Sequence, residues 1–140
     1  MRGGAEAAPF YEWGGKNADG TPGFDANRSG WGQPIHQMLI DHGVSAVFHG
    51  HDHLYVKQDL DGIVYQEVPQ PSCPNFNSGP SLATKFHYAG GTVLGSAGHL
   101  RVTVSPDGAK VEYVRAYRPQ DEKGGLYNGQ IDDTWVIPAK

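Results

Sequence analysis

GVSAVFHGHDHLYVKQDLDGIVYQEV, residues 43–68, changes character three times. It opens on Gly43, the expected stop for a short helix over "PIHQMLIDH" (34–42). There Pro34 suits the first turn and Ile35, Met38 and Leu39 share a stripe. "VSAVF" (44–48) follows, a short apolar run of the kind buried on both faces of a sheet. The stretch ends as two alternating segments around Asp61-Gly62, a dipeptide that is the strongest short-range hairpin signal. Between the strand and the hairpin stand His49, His51 and His53, three of the seven histidines in the chain.

Outward from this stretch the pattern stays β-rich. "LRVTVSPDGAKVEYVRAY" (100–117) repeats the hairpin signal around Asp107-Gly108. Its valines 102, 104, 111 and 114 are expected to share one core face, leaving the other face wet. "DDTWVIP" (132–138) offers one more strand, and "PQPSCPNFNSGPS" (69–81) is a loop by its prolines and glycines. Residues 1–32 lack sustained periodicity and read as a loop-rich arm. Phe10, Tyr11 and Trp13 lie close together there, which argues for packing against a surface. The predicted fold class is α+β: a short helix feeding a buried strand, then two hairpins. One domain covers 1–140, with the arm at 1–32 and helix plus sheet at 33–140.

At 140 residues, with 38% hydrophobic and 19% charged residues, the chain has the composition of a globular protein able to bury a core. A net charge of −4 argues against nucleic acid, whose phosphates call for a basic face. No apolar run approaches the ~20 residues that cross a bilayer, so no membrane role is expected. "MRGGAEAAPF" has no apolar core of the secretory-signal kind. Cys73 is the single cysteine, which excludes an intrachain disulfide.

Side chains at i, i+2 and i+4 of a strand share a face. A strand continuing through Phe48 would therefore project His49, His51 and His53 together, with Gly50 and Asp52 opposite. Imidazole nitrogen is the commonest protein ligand for zinc and related metals. Loops at the carboxyl ends of buried strands are where open α/β sheets place their ligands.

Gly50-His51-Asp52-His53 resembles the last metal motif, Gly-His-x-His, of the calcineurin-like metallophosphoesterases, a group that includes the purple acid phosphatases. The resemblance runs from 43 to 72 and extends to "YEWGG" (11–15), "GHLRVTV" (98–104) and "YVRAY" (113–117). It implies the C-terminal half of a metallophosphoesterase-like β-sandwich, with His51 on one divalent metal and His53 on another (zinc, manganese or iron). His49 has no ligand place in that motif and is a candidate third ligand or supporting catalytic group, with Asp52 beside it. The family's upstream motifs (Asp-x-His, Gly-Asp, Gly-Asn-His-Asp/Glu) are absent. The chain therefore looks like the C-terminal part of such an enzyme, starting at its own methionine.

The implied activity is hydrolysis of small phosphomono-, di- or triesters by metal-bound hydroxide. Candidate substrate contacts are His36, Tyr11, Arg28, His87 and His99. A homo-oligomer is expected, because half a parent domain leaves a sheet edge and an apolar face uncovered. The alternative is a non-catalytic metal-binding or structural remnant, or a subunit that needs an N-terminal partner chain.

Overall fold

The computed structural model describes residues 2–73 and 78–139. The predicted loop at 69–81 lies partly outside these residues. The architecture is α+β with two sheets. Three one-turn helices come first: α1 (Gly4–Ala7), α2 (Tyr11–Gly14) and α3 (Phe24–Asn27). Helix α4 (Ile35–Asp41) feeds β1 (Ala46–His49), followed by the hairpin β2 (Tyr55–Leu60) and β3 (Ile63–Glu67). Helix α5 (Gly79–Lys85) leads to β4 (Thr92–Leu94), and β5 (Gly98–Ser105), β6 (Gly108–Arg115) and β7 (Ile131–Pro138) complete the chain.

The first sheet has the order β1-β3-β2-β4, and β1 pairs parallel with β3. The second is an antiparallel β5-β6-β7 meander. In the β2–β3 hairpin, Asp61 and Gly62 have φ of 51° and 79°. That pair of left-handed residues is what a type I′ turn requires, which explains Asp-Gly at this point. In the second hairpin Ser105 pairs with Gly108, so the two loop residues are Pro106 and Asp107. Gly108, at φ 137°, opens the returning strand instead of lying in the turn.

Alternation divides the first sheet between two layers. Ile63, Tyr65 and Val47 face the helices, packing with Ala8, Trp13, Leu39 and Ile40. On the same side Leu54 and Val56 pack with Ala83, Tyr88, Leu82 and Phe86. The opposite face meets the second sheet, where Tyr55 stacks on Tyr113 and Phe48 on Trp135. The Trp135 indole N–H donates to Gln66 Oε1 at 3.2 Å across the same interface. The arm at 1–32 is thus partly helical, and its apolar residues line the helix layer.

Several sequence expectations are corrected here. "VSAVF" is not buried on both faces: β1 is an edge strand, and Phe48 remains 44% exposed. Helix α4 turns His36, Leu39 and Ile40 toward the sheet, each half-buried, and leaves Met38 exposed, so Met38 is not part of the packed stripe. The four valines do not share one core face. Val111 and Val114 are buried, whereas Val102 and Val104 are 46% and 77% exposed. Val102 pairs with Val111 and so lies on the sheet's inner side, yet it stays largely exposed there.

Candidate functional site

The order β1-β3-β2 dictates where the histidines go. The chain leaves the carboxyl end of β1, passes over the carboxyl end of β3, and enters β2 on the far side. Residues 50–54 make that crossing, and the last residue of β3 beneath them is Glu67. The strand therefore stops at His49, and the alternation that would align the three histidines ends with it. His51 (φ 111°) and His53 (φ 61°) instead adopt positive φ. Non-glycine residues held there cost about 1–3 kcal/mol each and persist only where the surroundings fix them.

Those surroundings are polar and buried. Glu67, fully buried, accepts a 2.7 Å hydrogen bond from the Asp52 backbone N–H through Oε1. Its Oε2 lies 2.7 Å from His49 Nδ1, an ion-pair distance without the alignment of a hydrogen bond. Asp52, 1% exposed, accepts at Oδ2 from the Gly3 N–H (3.2 Å) and the Tyr88 hydroxyl (2.9 Å). Burial, the Glu67 charge and the bond to Asp52 push the Tyr88 phenol up, so it remains a donor. His49 Nδ1 and Nε2, Asp52 Oδ1 and Glu67 Oε2 are buried without a hydrogen-bond partner.

The loop thus sorts its residues: His49 and Asp52 point down into the protein, while His51 and His53 point out. His51, His53, Arg2, Lys85 and Phe86 line one open depression of about 480 Å³, with the edge of Asp52 at its floor. Arg2 Nε donates to His51 Nδ1 at 3.1 Å and lies 3.6 Å from Asp52 Oδ1. Arg2 and Lys85 both lie against the Phe86 ring, with their cationic groups 5.4 and 5.2 Å from its centroid. Two cationic side chains, Arg2 and Lys85, and two imidazoles thus surround one buried carboxylate.

The remaining candidates are dispersed. His87, with φ 64°, borders an adjoining hollow together with Arg2 and Lys85. Tyr11 and Arg28 line a separate cavity of about 290 Å³ in the arm, where Arg28 is paired with Glu12 at 3.2 Å. His36 is bound between the Tyr65 hydroxyl (2.6 Å) and Asp61 (2.9 Å). His99 is an exposed residue at the start of β5, paired with Val114. Among the described residues, no three His, Cys, Asp or Glu side chains converge on a point that would hold a metal ion.

Glu67 and Lys85 were not singled out by sequence reasoning. Lys85 carries no local signal. Glu67 does: Ile63 and Tyr65 fix the inward positions of β3, and position 67 continues that series with a carboxylate. No helix among the described residues is long and apolar enough to cross a membrane. Comparisons of the chain with known protein families, with curated proteins and with solved structures find no match.

Proposed function

We propose that the chain is a metal-dependent hydrolase of small phosphoesters, built as the C-terminal half of a metallophosphoesterase-like β-sandwich. The observation that carries this reading is the depression at the carboxyl end of β1. It presents two exposed imidazoles, His51 and His53, beside two cations, Arg2 and Lys85. His51 and His53 would hold one or two divalent ions (zinc, manganese or iron). Such an ion supplies Lewis acidity and a water that ionises near neutral pH. In this reading Arg2 gives up its contacts with both His51 ring nitrogens to receive the anionic phosphoryl group in its planar fork, and Lys85 attracts the same group as a point charge. Asp52, fixed by Gly3 and Tyr88, turns its Oδ1 toward the pocket, 3.6 Å from Arg2 Nε and 3.5 Å from His51 Nδ1.

The test is turnover of p-nitrophenyl phosphomono- and diesters with added zinc or manganese, with and without chelator. The reading expects turnover that chelator removes and that His51→Ala or His53→Ala abolishes. Activity surviving both substitutions would end it.

One observation favours a second reading. With no third ligand converging on His51 and His53 among the described residues, metal held by one copy lacks the roughly three protein ligands of a catalytic site. In that reading the chain is a non-catalytic metal-binding module, or a subunit whose remaining ligands come from another chain. Metal uptake without turnover by the isolated chain would select it. Self-association belongs to the first reading, because the free edge of β1 carries no charged gatekeeper and Val102 and Val104 lie open on the neighbouring sheet.

A further inference from the structure

We infer that Glu67 is a positioning residue for the His51–His53 pair: its buried carboxylate holds the crossing loop in the left-handed shape that turns both imidazoles outward. The inference rests on the metal-site reading of the depression for its consequence, but the holding itself is a separate claim. Topology forces residues 50–54 over the end of β3, and the side chain standing there is Glu67. His49 is its register partner on β1, and Val56 its partner on β2, so its backbone is fixed from both sides. One carboxylate then makes two approaches of 2.7 Å, to His49 Nδ1 at the end of the strand and to the Asp52 N–H in the loop.

The consequence for the loop is geometric. The amide held by Glu67 belongs to the His51–Asp52 peptide, so fixing it constrains the turn directly after His51 and sets the direction in which the chain enters His53. Release would let His51 and His53 relax toward ordinary backbone geometry, and a strand-like 50–53 segment would bring both imidazoles onto the inward face that His49 occupies. A fully buried carboxylate is costly unless its lone pairs are matched, and the Asp52 amide supplies the aligned donor. Glu67 does not line the depression, so its action passes through the residues it holds, Asp52 and His49.

Two measurements test this on the full chain, with Glu67→Ala and Glu67→Gln compared to the unaltered protein. Glu67→Gln keeps an oxygen that accepts from the Asp52 amide, and it serves as the folded control if Glu67→Ala loses structure. The first measurement is amide hydrogen exchange at Asp52 in the metal-free protein. Exchange is expected to be roughly ten- to a hundredfold faster in Glu67→Ala, as for loss of a bond to a charged acceptor, and largely retained in Glu67→Gln. The second is cobalt(II) affinity followed by its visible ligand-field bands. A drop of roughly ten- to a hundredfold in Glu67→Ala, with rescue in Glu67→Gln, is the expected result. Asp52 exchange unchanged in Glu67→Ala, or unchanged cobalt affinity where the unaltered chain binds the ion, would overturn the inference. If Glu67→Ala does not fold, Glu67→Gln decides: Asp52 exchange as fast as in a short unstructured peptide would overturn it. If the unaltered chain takes up no cobalt, the metal reading falls, and the exchange comparison still decides whether Glu67 holds the loop.

Discussion

The ring of Tyr55 lies flat on the ring of Tyr113, with centroids 4.6 Å apart and planes 8° from parallel. This contact joins the two sheets, and both side chains are fully buried. The Tyr55 hydroxyl donates to Asp133 on β7 at 2.6 Å. Tyr55→Phe keeps the ring and removes the donor to Asp133 Oδ2, while Oδ1 still accepts from the Thr134 N–H. The expected loss is about 1–3 kcal/mol of unfolding free energy in a denaturant titration. Tyr55→Ala opens a cavity at the joint and is expected to cost about 3–5 kcal/mol.

The buried phenols set a limit at high pH. Burial and the Asp61 charge push Tyr65 up to about 12 from its ordinary value near 10. Tyr55, Tyr88 and Tyr113 are pushed up as well, each chiefly by burial. The folded state therefore keeps protons that the unfolded chain releases above pH 10. The associated stability is complete below pH 10 and is lost as pH climbs, for Tyr65 through the window from 10 to about 12. Each such tyrosine contributes a slope of about 1.4 kcal/mol per pH unit. Unfolding free energy is expected to fall steeply above pH 10 as these buried phenols ionise. Titration of all phenols together near pH 10 in the folded protein would contradict this.

Arg115 is held inside the second sheet by Asp132 Oδ2 at 2.8 Å and by the Ser96 carbonyl at 3.2 Å. Removing one member of a buried pair strands the other charge. Asp132→Ala is therefore expected to destabilise by about 3–5 kcal/mol, and Arg115→Met combined with Asp132→Leu to recover most of that loss. Chemical denaturation of both variants beside the unaltered protein provides the check.

Val104 is the most exposed of the large apolar side chains in the second sheet, at 77%. Val104→Glu removes no buried contact, so its effect on stability is expected within about 0.5 kcal/mol. Self-association through this face predicts that the same substitution lowers the mass measured by sedimentation. An identical mass for both proteins would remove this face as the contact.

Local chemistry made much of the fold legible. Asp61-Gly62 announced its turn because both positions need positive φ, and Gly43 marked the end of α4 for the same reason. Tertiary placement was not legible. "VSAVF" looks like a central strand, yet the parallel pairing of β1 with β3 leaves it at an edge. Pro106-Asp107-Gly108 offers two turn frames, and the pairing of Ser105 with Gly108 selects one. At the candidate site, the spacing of His49, His51 and His53 suggested a shared face. The strand order explains why they part: the loop must climb over Glu67, so His49 stays in the sheet and the other two turn out. Arg2 and Lys85 approach that loop from distant parts of the chain, a closeness that no local pattern encodes.

Equilibrium dialysis of the intact chain against zinc, beside His51→Ala, His53→Ala and an exposed-histidine control, His99→Ala, tests the central claim most directly. The account predicts metal retained by the unaltered chain and by His99→Ala, and roughly tenfold or weaker binding once His51 or His53 is removed. Equal retention by all four proteins, or none by any, would contradict it.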